Sequence, residues 1–187
     1  MTDTRSWWHT GIRLPVTGWE EDDISTMSTG PVADRSEGAP GYLVSLYLAG
    51  RDVLVVGGGV VAGRRIPALL AAGARVRVVA PQVSDEVRRL VDGGQVAHES
   101  RPVRPGDVDG AWYVLAASDD PQVNAMVAAT AERNHTFCVR ADWAPGGSAS
   151  TPATASAGGL TVAVVGNRDP HRSVRVRDAL LRVLGEE

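Results

Sequence analysis

The chain has 187 residues, of which 43% are hydrophobic, and a formal net charge of −3. This length allows one well-buried domain and a small additional unit. The charge lacks the basic excess that is typical of nucleic-acid-binding proteins, and no apolar run approaches the ~20 residues that cross a bilayer. We therefore expect a cytoplasmic protein that binds neither nucleic acid nor membranes.

The types of basic and metal-binding residues exclude several chemistries. All 19 basic residues are arginines, which excludes a Schiff-base lysine and the lysine of a Walker phosphate loop. The single cysteine, Cys138, excludes disulfide frameworks and thiolate clusters, and we expect it to be a small buried hydrophobe. The four histidines lack metal-ligand spacing, so no metal site is predicted.

The first 40 residues differ from the rest of the chain. They combine Trp7, Trp8 and Trp19 with the acidic run Glu20–Asp23, and they show neither helical nor strand periodicity. This pattern predicts a disordered extension outside the fold. The alternative is that the tryptophans bind a partner.

Residues 51–80 follow the pattern strand, glycine turn, helix, strand. The apolar run Val53–Val56 suits a strand that is buried on both faces. Gly57, Gly59 and Ala62 then fill the small-residue positions of the motif G-x-G-x-x-G/A. In this motif the first glycine allows a sharp turn, the second lets backbone approach a pyrophosphate, and the third small residue lets the helix pack on the sheet.

The surroundings of this turn strengthen the prediction. Gly73 would end the helix, and Arg75–Ala80 alternates into a second strand, which completes a βαβ unit of about 30 residues. The unit predicts a dinucleotide site; the alternative is a glycine-rich turn that binds nothing. The acidic residue usual at the end of the second strand is absent, although Gln82 could bond ribose hydroxyls, so these residues do not decide between NAD and NADP.

The rest of the chain divides into two predicted parts. Helices are predicted over Ser84–Asp92 and from Pro121 to about Arg133, and strands over Gln95–Glu99, Trp112–Ala117 and Phe137–Ala141. This alternation predicts an α/β, Rossmann-like doubly wound parallel sheet, and a dinucleotide-binding domain over residues 41–143.

The pattern changes after Asp142. A stretch rich in small residues is followed by a predicted strand, Leu160–Val165, and by a helical apolar stripe over Ser173–Leu184. Residues 144–187 are therefore predicted to form a small αβ unit that serves dimerisation, substrate binding or packing. We expect a homodimer.

The order of several segments resembles the precorrin-2 dehydrogenase and sirohydrochlorin ferrochelatase family, the dehydrogenase part of siroheme synthase. The segments are Leu-Val-Val-Gly-Gly-Gly, Ala-Gly-Ala-Arg-Val, Val-Val-Ala-Pro, Ala-Ala-Ser-Asp-Asp-Pro-Gln-Val-Asn and Phe-Cys-Val-Arg-Ala-Asp. The resemblance begins near Tyr42 and continues to the end of the chain. It implies NAD-dependent oxidation of the tetrapyrrole precorrin-2 to sirohydrochlorin. In some members insertion of Fe(II), as a substrate, then gives siroheme.

The resemblance also implies which residues bind the cofactor. Gly57, Gly59, Val60 and Val61 would line the pyrophosphate turn, Pro81 and Gln82 would flank the adenosine ribose, and Ala117, Ser118 and Asp119 would close the site. These positions agree with the rule that ligands of open α/β sheets lie at the carboxyl ends of the strands. The alternative for Asp119 or Asp120 is that it only caps the following helix.

Asp142 is the candidate catalytic residue, because it matches the family's acid/base aspartate. It follows a predicted strand at the ligand side of the sheet, where a carboxylate could take the proton released during oxidation. The alternative is a turn aspartate that bonds nearby N–H groups. The adjacent Trp143 could stack on a tetrapyrrole or fill the core.

Precorrin-2 carries many carboxylates, which arginine side chains bind well. Arg168 and Arg172 are the candidate substrate-binding residues; the alternative is a solvated helix face. The chain departs from the family at Val60, where many members have aspartate, and in the turn Val165–Asp169. We also expect the helical region that members usually have after this unit to be missing. The rival functions are a non-catalytic dinucleotide sensor and an assembly partner.

Overall fold

Five parallel strands form the central sheet in the computed structural model, which describes residues 41–165 and 169–185. The strands are β1 (Asp52–Val56), β2 (Arg75–Val79), β3 (Val96–Glu99), β4 (Tyr113–Ala116) and β5 (Phe137–Arg140). Their order across the sheet is β3-β2-β1-β4-β5, and every neighbouring pair is parallel. The predicted extension over residues 1–40, and Arg168, lie outside the described residues.

The central strand β1 shows why the sheet is covered on both faces. Its last four residues are each at most 2% exposed, as expected for a strand buried on both faces. Because side chains alternate along a strand, Val53 and Val55 join one core cluster, whereas Leu54 and Val56 join the other.

Three helices cover these two faces. They are α1 (Val60–Ala71), α2 (Asp85–Asp92) and α3 (Pro121–Arg133). Ile66 of α1 and Val87 of α2 belong to the cluster of Val53, and Val127 of α3 belongs to the cluster of Leu54. The predicted Rossmann-like doubly wound sheet is therefore confirmed.

The order of the strands places a crevice at one point of the sheet. From β1 the chain adds β2 and β3 on one side, and then crosses to add β4 and β5 on the other. The connections after β1 and β4 consequently leave the sheet in opposite directions. Open α/β sheets bind ligands at the carboxyl ends of such neighbouring strands.

The last part of the chain forms a hairpin and a helix. Strands β6 (Ala153–Ala157) and β7 (Leu160–Val164) are antiparallel. They are joined by Gly158 and Gly159, whose φ values of 57° and 78° suit a tight hairpin turn. Helix α4 (Pro170–Gly185) packs on both strands and begins three residues before its predicted start. Strand β6 was not predicted, because its small residues resemble a loop.

Candidate functional site

The glycine turn after β1 begins where two loops meet. Gly57 has a φ of 95°, and a Cβ atom at this position would lie 2.3 Å from the backbone oxygen of Ala117, just after β4. Both the backbone angle and the close approach require glycine. Gly57 therefore brings the loops after β1 and β4 together at the crevice.

The middle glycine, Gly58, is a close packing contact that the motif alone does not predict. A Cβ atom there would lie 2.6 Å from the backbone oxygen of Gln82 and 2.6 Å from Cγ1 of Val83. The Gly58 carbonyl also accepts a hydrogen bond of 2.7 Å from the backbone N–H of Ser84. Gly58 thus packs the turn against the loop after β2. The extra glycine between the two motif glycines was the sequence signal from which this second close approach could have been predicted.

Gly59, in contrast, faces open space. A Cβ atom there would have no neighbour within 4 Å. Gly59 is also the N-cap of α1, with no side-chain cap and no acidic residue in the first turn. The first N–H groups of a helix lack partners within it and attract anions. The turn consequently has the space and the polarity to hold the diphosphate of a dinucleotide. Val60 and Val61 lie at its mouth and are largely exposed.

A second wall of the crevice is the loop between β4 and α3. Asn124, which is fully buried, accepts a hydrogen bond of 2.9 Å from the Ser118 N–H and donates one of 2.8 Å to the Ser118 carbonyl. Asp120 caps α3, because its carboxylate accepts from the N–H of Gln122 at 2.8 Å. The capping role thus falls to Asp120, while Asp119 is exposed beside it.

A third wall is the loop after β2. The Ser100 hydroxyl donates to the Pro81 carbonyl at 3.0 Å, and Nε2 of His98 lies 2.9 Å from the Ala80 carbonyl. Since a carbonyl only accepts, His98 is the donor in this pair. These bonds fix the backbone that leads to Gln82, whose side chain is exposed.

Asp142 follows β5 at the same edge of the sheet. It forms a two-bonded ion pair with Arg140, in which Nε lies 3.1 Å from Oδ1 and Nη2 lies 2.5 Å from Oδ2. Arg140 holds the pKa of the Asp142 carboxyl below its usual range, and the N–H of Trp143 adds to this effect. Asp142 is therefore ionised at neutral pH and can act as a proton acceptor.

Trp143 does not fill the core. It is 55% exposed, and the Cζ atom of Arg140 lies 5.5 Å from the centre of its ring. A Cβ atom on Gly146 would lie 2.5 Å from the ring, so the ring packs directly against this glycine and would have to shift to admit a side chain. The indole consequently presents apolar surface beside Asp142.

The predicted substrate-binding arginines are less defined. Arg172 is exposed on the first turn of α4, where its backbone N–H donates to Asp169 at 2.8 Å. Among the described residues, no hydrogen bond or ion pair joins its guanidinium to Asp142. Arg168 lies outside the described part of the chain.

Other predictions concern metals, thiols and membranes. Over residues 41–165 and 169–185, no group of three His, Cys, Asp or Glu side chains is placed to hold a metal ion. No helix within these ranges has the length and hydropathy to span a membrane. Cys138 is buried, as predicted, and burial raises the pKa of its thiol to about 11. The thiol is therefore protonated and unreactive at neutral pH.

Comparison with known proteins identifies the family. A family model described as "Putative NAD(P)-binding" matches residues 44–153. A precorrin-2 dehydrogenase of Priestia megaterium is 35% identical over 123 residues, which are 66% of this chain and 60% of the relative. A siroheme synthase of Chromobacterium violaceum is 38% identical over 139 residues, which are 73% of this chain and 30% of the relative.

A solved structure agrees with these sequence matches. SirC, a precorrin-2 dehydrogenase, superposes with a TM-score of 0.68 at 33% identity, over 76% of this chain and 71% of that chain. The chain thus spans less than two thirds of the two curated relatives, but more than two thirds of the solved one. The resemblance found in the sequence is confirmed. The chain belongs to the NAD(P)-binding family that contains precorrin-2 dehydrogenases and part of the siroheme synthases.

Proposed function

We propose that this protein is an NAD-dependent precorrin-2 dehydrogenase that forms sirohydrochlorin. One observation carries the proposal: the open glycine turn and the Asp142 carboxylate lie at the same edge of one sheet. Only β4 separates β1 from β5, so the carboxyl ends of β1 and β5 lie about 10 Å apart. A dinucleotide on the turn can therefore extend towards Asp142.

The chain supplies binding and proton transfer for this reaction. NAD, when bound, accepts the hydride that the substrate loses. The proposed cofactor contacts are those around the three loops, namely Gly57, Gly59, Val60, Val61, Pro81, Gln82, Ala117, Ser118 and Asp119. Asp142 accepts the proton that leaves the substrate with the hydride, and releases it to water. The two hydrogens removed from precorrin-2 are thereby both accounted for.

The proposed substrate contacts follow from the chemistry of the macrocycle. The exposed indole of Trp143 offers an apolar face beside Asp142, which suits a flat ring system. Arg172, together with Arg168 from the sequence, would bind the peripheral carboxylates, because guanidinium groups bind carboxylates with two hydrogen bonds.

The proposal includes a homodimer in the cytoplasm, formed by the small unit over residues 144–187. Helix α4 and β7 leave several large apolar side chains at least 38% exposed: Leu160, Val174, Val176, Leu180 and Val183. Val176, Leu180 and Val183 recur at the i, i+4 and i+7 positions of α4 and so share one helix face, and an exposed apolar patch is typical of an interaction surface. Light scattering of the purified protein checks this part, and a monomer at micromolar concentration would contradict it.

The enzymatic proposal is tested by mixing the protein with NAD and enzymatically generated precorrin-2. We expect absorbance to rise together in the NADH band and in the sirohydrochlorin region, and Asp142→Asn to abolish both rises. NAD binding without turnover would favour the sensor, and a folded protein without NAD binding would favour the assembly partner. Adding Fe(II) to the same mixture tests whether siroheme is also formed.

A further inference from the structure

Arg140 is a charged residue that is almost completely buried. It is the last residue of β5, and its side chain is 8% exposed. A guanidinium is always charged, and a buried charge without partners is strongly destabilising. The contacts of Arg140 are therefore a required part of the fold at this edge of the sheet.

The contacts connect Asp142 to a second element. Besides its two bonds to the Asp142 carboxylate, Nη2 donates to the backbone carbonyl of Pro121 at 3.3 Å. Pro121 is the first residue of α3, the helix whose Asn124 holds Ser118. Arg140 thus fixes Asp142 relative to the loop that closes the proposed cofactor site.

The carboxylate remains open to a substrate despite this pair. The Asp142 side chain is 24% exposed, three times the exposure of Arg140. Each carboxylate oxygen can accept two hydrogen bonds, and Arg140 donates one to each oxygen. The backbone N–H of Trp143 also stabilises the ionised carboxylate, so an incoming proton reaches it through the part of the side chain that stays exposed.

We propose that Arg140 is the positioning residue of the reaction, which orients the Asp142 carboxylate towards the bound macrocycle. This inference rests on the proposed function. A fixed acceptor needs no reorientation before proton transfer, and misplacement of a reacting group can lower a rate by about 100-fold. The charged group that contacts Asp142 among the described residues is Arg140, so its removal should also change the ionisation of Asp142.

The test compares the wild type with Arg140→Gln, Arg140→Lys and a control, Arg133→Gln. Arg133 is exposed at the far end of α3. In Arg140→Gln we expect kcat to fall about 10- to 100-fold, while the Kd for NAD stays within about twofold. The acid limb of the kcat/KM profile should move up towards about pH 4, the usual aspartate range. Lysine keeps the charge but not the two-bonded geometry, so Arg140→Lys should restore the acid limb without restoring kcat.

A measurement without turnover accompanies the kinetics. Carbon-13 NMR titration of labelled aspartates, with Asp142→Asn for assignment, should show a higher Asp142 pKa in Arg140→Gln than in the wild type. Wild-type kcat and an unmoved Asp142 titration in a folded Arg140→Gln would overturn the role of Arg140 alone. A folded wild type that binds NAD but does not oxidise precorrin-2 would overturn the proposed function, and with it the reaction that Arg140 serves.

Discussion

Two alanine substitutions in the glycine turn should separate cofactor binding from folding. Gly59 has a φ of −78°, which alanine adopts freely, and a Cβ atom there meets nothing within 4 Å. Loss of the glycine N-cap lowers the unfolding free energy, whereas the smaller conformational entropy of the unfolded chain raises it, so the two effects oppose each other. We therefore expect the unfolding free energy of Gly59→Ala to stay within about 1 kcal/mol of the wild type.

Gly57→Ala should instead destabilise the fold. Its φ of 95° costs alanine about 1–2 kcal/mol. The overlap at 2.3 Å is with backbone of the next loop, and relieving such overpacking costs a further ~1–3 kcal/mol. The expected loss is thus about 2–5 kcal/mol, which lowers Tm by at least about 4 °C.

The assays are urea unfolding and calorimetric titration with NAD. In Gly59→Ala the new methyl group would occupy the space assigned to the diphosphate, so we expect the Kd to rise at least about 10-fold, or 1.4 kcal/mol. Unchanged NAD binding in Gly59→Ala would refute the placement of the diphosphate. Wild-type stability of Gly57→Ala would refute the close approach of the two loops.

Three further predictions concern single side chains. Asn124→Leu removes both bonds to Ser118 and should lower the unfolding free energy by about 2–4 kcal/mol in urea, because two backbone groups lose their partners. The pKa of Asp107, which is buried against Arg101, is held well below its usual range. The ionised carboxylate therefore stabilises the fold above about pH 4, and this effect is lost as the pH falls further. In Asp107→Asn the unfolding free energy, measured with urea, should depend less on pH in this acid range. Trp143→Ala should raise the KM for precorrin-2 at least about threefold, with little change in the Kd for NAD. The reason is that an aromatic contact is typically worth about 1 kcal/mol. An unchanged KM would exclude the indole from the substrate site.

Local patterns were sufficient to predict the sheet and the first loop. The run Val53–Val56 and the glycines after it act through neighbours in sequence, so strand, turn and helix were found together. The strand β6, in contrast, consists of small residues and depends on pairing with β7 and packing under α4. Such tertiary support leaves no periodic signal in the sequence.

The candidate site was predicted less completely than the sheet. Asn124 was recognised only as part of a family motif, because its two bonds to Ser118 require the loop geometry. Arg140 and Asp142 are two positions apart, and residues at this spacing share a face of an extended chain. Their pairing was therefore detectable, but Asp142 was predicted only as a catalytic base or as a turn aspartate, and Arg140 was not considered as its partner.

Backbone contacts at the carboxyl edge of the sheet connect the glycine turn to Asp142. The turn at Gly57 lies against Ala117, Asn124 holds the next residue of that loop, and Arg140 bonds to the helix that the loop enters. Each contact includes a backbone group, which is fixed more firmly than a side chain. A dinucleotide bound as we propose would thus be positioned relative to the Asp142 carboxylate through the same connected backbone. For that reason a substitution in the middle of this path, at Asn124, should affect both cofactor affinity and kcat. Gly59→Ala, beside one end of the path, should affect mainly the affinity for NAD, and Arg140→Gln, at the other end, should affect mainly kcat.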